Sequence, residues 1–162
     1  LLHAESWRAH YRGAYSDAYL DGPVYDDRAK VWRTRMTSPP DGQYVVVAEE
    51  DDALVGFACA YGADDDRWGT LLDNLHVRPD VQRSGIGRHL VAEIARWCAE
   101  HYPEHGLYLW VLAQNDNARR FYAGIGGRDV GGERRAASAG GGLINEIRRI
   151  AWAELPVASP SR

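Results

Sequence analysis

The sequence predicts an α/β (α+β) domain built on a mixed, mostly antiparallel central sheet with helices on both faces. Three observations carry this. Segments of helical spacing and strand-like runs follow one another as helix, helix, three strands, helix, strand, helix, two strands. A long amphipathic helix joins two of the strands, as in a right-handed parallel crossover. Short polar turns join the strands at either end, which makes the remainder antiparallel.

In chain order, "LLHAESWRAHYRGAYSDAYL" spaces Trp7, Tyr11, Ala14, Tyr15 and Ala18 along one helical face, with Gly13 as a candidate break. The turn-rich "DGPVYDD" leads into "DRAKVWRTRM", a second short helix that stops before "SPPDG". "QYVVVAEE" and "ALVGFACAY" read as a hairpin about Asp51 and Asp52, and "GTLLDNLHV" (69–77) as a strand ending at Arg78-Pro79. From Ile86 the apolar stripe runs through Leu90, Val91, Ile94, Trp97 and Cys98, and Pro103 closes that helix. "GLYLWVLA" (106–113) is the next strand and "NARRFYAGI" (117–125) a short helix. A strand near Arg128–Arg135 and a last one, "INEIRRIAW" (144–152), are joined by "AASAGGG", a loop expected to be mobile. Residues 1–154 are expected to form one domain and 155–162 a disordered tail.

Composition narrows the function. The formal net charge of −4 argues against a nucleic-acid binder, which normally carries a basic stripe. Cys59 and Cys98 sit in apolar runs at a spacing that suits no metal site, so two buried thiols and no metal are expected. No apolar run approaches the ~20 residues of a membrane span and nothing resembles a secretory leader, so a cytoplasmic protein without a membrane partner is expected.

The informative stretch is "VQRSGIGRHL" (81–90), which puts two glycines and two arginines at a helix start. A Walker loop needs Lys-Ser/Thr after its glycines, where this chain has Arg88-His89. A dinucleotide fingerprint needs a third glycine where Leu90 stands. What remains is a turn whose successive amides run into a helix N-terminus and wrap a diphosphate, with Gly85 and Gly87 permitting close approach. The competing reading is a tight strand-to-helix turn with two solvated arginines.

The flanks favour the first. Val77-Arg78-Pro79 followed by Gln82-x-x-Gly85-x-Gly87 resembles the central Gln/Arg-x-x-Gly-x-Gly/Ala motif of the GCN5-related N-acetyltransferase (GNAT) superfamily. "NDNARRFYAGIGG" resembles its second motif, carried here by Asn115, Ala118, Phe121, Tyr122 and Gly126. The resemblance spans about residues 43 to 152. It implies a splayed parallel strand pair holding acetyl-CoA, with the backbone of Leu75, His76 and Val77 along the pantetheine arm. The pyrophosphate would take the loop formed by Gln82, Arg83, Ser84, Gly85, Ile86, Gly87 and Arg88. Asn115 would hold the pantetheine side or simply cap a helix. Tyr122 would protonate the leaving thiolate, or be only a core aromatic. His76, pointing opposite to Leu75 and Val77, has the alternative of a purely structural histidine.

Relatives that use a glutamate as general base have Leu71 or Trp110 at the corresponding places in this chain, so Asp73 is the first candidate base and a water relay the second. The implied activity is acetyl transfer to a primary amine of a small molecule, directly in a ternary complex. A protein N-terminal or lysine acetyltransferase is the alternative, and a non-catalytic acyl-CoA-binding regulatory module the second. Tyr11, Tyr15, Tyr19 and Tyr25 with Asp17, Asp21, Asp26 and Asp27 suggest an acceptor pocket for an alkylammonium. A homodimer is compatible with the sequence.

Overall fold

A computed structural model describes residues 1–137 and 143–156. The predicted "AASAGGG" loop falls mostly, and the predicted tail largely, outside the described residues. Leu155 of that tail is partly buried against the core.

The elements are α1 (Leu2–His10), α2 (Asp17–Leu20), α3 (Val24–Thr37), β1 (Gln43–Glu50), β2 (Ala53–Asp65), β3 (Gly69–Val77), a 3-10 turn (Pro79–Val81), α4 (Ile86–His101), β4 (Leu107–Leu112), α5 (Asp116–Gly124), β5 (Arg128–Ala136) and β6 (Ile144–Trp152). The strands form one sheet in the order β1-β2-β3-β4-β6-β5. Among the described strands only β3 and β4, joined through α4, run parallel. The expected mixed sheet is therefore present.

Two differences from the sequence reading have local causes. The first helix stops at His10 because Tyr11–Ser16 form turns, with Gly13 at a positive φ of 79°, and Ser16 caps the separate α2 through Tyr19 N–H. The second helix is longer than expected, starting after Pro23 and absorbing Val24 and Tyr25.

Each sheet face buries its own cluster. Leu90, Val91 and Ile94 of α4 pack with Leu72, Leu109, Val111 and Tyr122 on one side. Trp7, Tyr15, Tyr19 and Leu20 pack with Leu112 and Ile147 on the other. Val111 and Leu112, adjacent in β4, serve opposite faces as strand alternation requires. Cys59 and Cys98 are buried free thiols, and burial pushes the Cys59 thiol up to about 11.

Candidate active site

The site begins with a defect in the sheet. β3 and β4 pair only at Thr70–Leu107 and Leu71–Tyr108. Their start is pinned where Gly69, at φ 85°, brings the Thr70 amide 2.9 Å from the Gly106 carbonyl. A Cβ at Gly69 would lie 2.4 Å from that carbonyl oxygen, so only glycine fits. Beyond Leu71 the strands part. On the other edge of β3, Cys59 opposes Asn74 while Ala60 opposes Leu72, so Asp73 is an extra residue in a bulge. Such a bulge bends and twists its strand, and here β3 turns away from β4.

The gap opens into a cavity of about 590 Å³. Leu75, Val77, the loop at 81–88 apart from Ser84, and α5 line it, together with Ser6, His10 and Tyr11 of the N-terminal segment. A second cavity of about 460 Å³ lies against β4 and β6 beneath Tyr11 and Tyr15. Tyr11, Leu72, Asp73, Trp110, Val111 and Leu112 line both.

The loop has the geometry of an anion cradle. Arg83 and Gly85 both take positive φ, 65° and 95°, and Gly85 leads directly into α4. Among the described residues, the amides of Arg83, Ser84 and Gly85 have no hydrogen-bond partner. Those of Ile86, Gly87 and Arg88 open the helix, where no acceptor lies four residues back. Alternating backbone hands followed by a helix start concentrate partial positive charge at one spot. Arg83, Arg88 and Arg120 line the same cavity, and none pairs with a carboxylate among the described residues. Arg120 went unnoticed in the sequence, although it sits beside Phe121 in the second motif.

Two loop residues act on the loop itself. Ser84 Oγ donates to the Val81 carbonyl at 2.6 Å and does not line the cavity. Gln82 Nε2 donates to the Val77 carbonyl at 3.2 Å, tying the turn to the end of β3.

The strand-end candidates divide. Arg78 N–H donates to the Val55 carbonyl at 2.8 Å, flanking the Gly56–Val77 pair. In an antiparallel ladder this phase commits the backbone of His76 to β2 and turns those of Leu75 and Val77 toward the gap. His76 is therefore corrected from a backbone ligand to a side-chain feature. Its ring is buried, lines the cavity, and meets Ser6 Oγ through Nδ1 at 2.7 Å. Burial pushes it down to about 3, so it is neutral.

Tyr122 lies at the cavity between Phe121 and Trp152, edge-on to both. Its hydroxyl has no hydrogen-bond partner among the described residues, and burial, with Tyr11 second, raises its pKa well above the usual phenol value. It remains a neutral donor. Asn115 caps α5 by accepting Ala118 N–H at 3.1 Å, so the capping role is real, while the side chain also lines the cavity. Asp73 Oδ2 pairs with Arg35 at 2.8 Å, and Asn74 Oδ1 accepts from the same guanidinium at 2.7 Å.

Three of the four carboxylates of the expected alkylammonium pocket are already paired. Asp17 and Asp21 pair with Arg12. Asp27 takes the Tyr19 hydroxyl and Arg28. The hydrogen bonds from Arg12 and Tyr19, respectively, hold Asp21 and Asp27 below the usual carboxylate range. Tyr15 and Tyr19 are buried in the aromatic cluster with Trp7. Those groups hold the N-terminal helices together.

An amide-lined turn at a split parallel pair, with two cavities meeting at the split, gives the fold two adjoining sites, one of them suited to an anion. The model described as "Acetyltransferase (GNAT) family" matches residues 4–126, and the chain belongs to that family. It is thus an acyltransferase that draws on acetyl-CoA, and the unpaired amides and arginines of the loop fit a donor carrying phosphates. A GNAT-family structure from Desulfovibrio desulfuricans is 21% identical over 92% of this chain and 91% of its own, with a TM-score of 0.64. The PaiA N-acetyltransferase of Thermoplasma acidophilum, solved with coenzyme A, is 21% identical over 93% and 89%, TM-score 0.63. The ribosomal-protein-S18-alanine N-acetyltransferase of Escherichia coli is 20% identical over 80% of each chain, TM-score 0.59. No curated protein matches this chain in sequence.

Proposed function

We propose that this chain transfers an acetyl group from acetyl-CoA to the primary amine of a small molecule, directly, with both substrates bound at once. The observation that carries this reading is the shared wall: six residues line both cavities at the gap, so donor and acceptor have one place to meet. Acetyl-CoA supplies a thioester carbonyl; the amine nitrogen forms a bond to its carbon, the carbon–sulfur bond breaks, and a proton passes on balance from nitrogen to sulfur.

Each protein group has one task in this reading. The amides of Arg83 through Arg88 hold the pyrophosphate, with Arg83, Arg88 and Arg120 adding charge. The inward-facing backbone of Leu75 and Val77 aligns the pantetheine, and an amide there stabilises negative charge developing on the carbonyl oxygen. Tyr122 donates a hydrogen bond to the departing sulfur. Its raised pKa makes full transfer of the phenolic proton unfavourable, so the proton reaching sulfur comes ultimately from the amine. Asp73 is the one carboxylate lining both cavities among the described residues, which supports it as the proton acceptor, acting directly or through water.

The second cavity, about 460 Å³, is the size of a small-molecule site, which favours a free amine over a folded protein tail. A thiol-release assay against free amines and peptides, read with initial-rate patterns, tests the reading. Intersecting lines with free amines are expected; turnover confined to peptides, or parallel lines from a covalent acetyl-enzyme, would overturn it.

A further inference from the structure

Arg149 lies in the second cavity, opposite Trp110 across the β4–β6 pair. Its guanidinium carbon is 4.2 Å from the Trp110 ring centre, 4.9 Å from that of Trp68 and 5.6 Å from that of Tyr108. Its Nε is buried without a hydrogen-bond partner. Among the described residues, its guanidinium takes part in no ion pair and no hydrogen bond.

The carboxylates around it are engaged elsewhere. Asp64 accepts the Tyr108 hydroxyl. Asp65 accepts the amides of Trp68 and Arg67, each at 2.8 Å, and these hold its carboxyl low, with a lesser pull from Arg149. Asp73 is paired with Arg35, and Arg135, the other arginine of this cavity, with Glu133. A half-buried guanidinium without a partner is unfavourable unless something completes it. Stacking on rings covers its faces but leaves its edge, where the N–H fork matches a planar carboxylate.

We infer that Arg149 is an anion subsite and that the acceptor is an amine bearing a carboxylate, its nitrogen directed to the gap at Tyr11 and Asp73. This rests on the proposed acetyl transfer and names the acceptor class for it. It differs from the cationic pocket expected from the sequence, three of whose four carboxylates, Asp17, Asp21 and Asp27, are paired with Arg12 and Arg28.

The test compares matched acceptors in the thiol-release assay: amino acids, their carboxamides, and the corresponding decarboxylated amines, with dipeptides to tell a free amino acid from a peptide terminus. The carboxylate-bearing member is expected to have at least tenfold higher kcat/KM. Arg149→Gln is expected to raise KM for it at least tenfold and to bring the ratio between matched acceptors toward one, with CoA binding by calorimetry unchanged. Since Arg149→Gln could disturb folding, the wild-type ratio stands as an independent measurement. Equal turnover of carboxylate and carboxamide by the wild-type enzyme overturns the subsite while leaving acetyl transfer intact. CoA binding with no amine acetylated overturns both.

Discussion

Asp73 meets Arg35 at 2.8 Å at the bulge where β3 leaves β4, so the residue that opens the sheet is also clamped to α3. The clamp extends to Asn74, whose side-chain oxygen takes the same guanidinium. The bulge places both side chains on the α3 face, where regular alternation would have separated them.

From this pair, Asp73→Asn should lower kcat by about ten- to a hundredfold, the scale of general base catalysis, with little change in KM for acetyl-CoA. Arg35→Ala should destabilise the fold by about 1 kcal/mol, a modest figure because the partners are 21% and 28% exposed and solvent screens them. Steady-state kinetics and urea melts separate the two effects. Unchanged turnover in Asp73→Asn would leave the water relay as the remaining route.

Tyr122→Phe removes the hydroxyl while keeping the ring between Phe121 and Trp152. We expect kcat to fall at least tenfold, with melting temperature and CoA affinity near wild type. A wild-type kcat would return Tyr122 to a packing role.

Gly85→Val strains a residue at φ 95° and redirects the amides that lead into α4. Calorimetry should show at least tenfold weaker CoA binding. Replacing Arg83, Arg88 and Arg120 together with Ala should weaken binding too, and that loss should shrink as salt is raised, since these charges are screened. Affinity indifferent to both changes would move the diphosphate away from this loop.

His3 and His76 predict acid sensitivity. Burial first, and lesser repulsion from neighbouring cations, push them down to about 2 and about 3 from 6.5. The unfolded chain takes up protons below about pH 6.5 that the folded chain refuses. Stability is therefore intact above pH 6.5 and falls as pH drops from there toward 3, by up to about 1.4 kcal/mol per pH unit for each histidine. Urea melts between pH 7 and pH 5 should show this slope, and His76→Gln should reduce it. A flat profile would mean that the pair is solvated.

Local signals made much of this molecule legible. The stripe from Ile86 to Cys98 specifies α4 because helical spacing is set by neighbours three and four residues apart. Gln82-x-x-Gly85-x-Gly87 specifies the turn because only glycine enters α4 easily at φ 95°. Asn115 announces the start of α5 by the same logic of short-range hydrogen bonding. Ser84, by contrast, reads as a ligand in the motif yet spends its hydroxyl on Val81.

Partners distant in the chain were not readable. Arg35 reaches Asp73 across 38 positions of sequence, and Ser6 reaches His76 across 70. No periodicity encodes such contacts, because they exist only once helices are laid on the sheet. The acidic and aromatic N-terminus therefore looked like a cation site until its guanidinium partners were in place. Arg149 looked like an ordinary strand residue until three rings and an enclosed cavity surrounded it. Sequence by itself determined most of the elements, the turn and the donor chemistry, all matters of near neighbours. Which charges are neutralised and which are left facing the acceptor was decided by the tertiary structure, since charge compensation depends on distance through space.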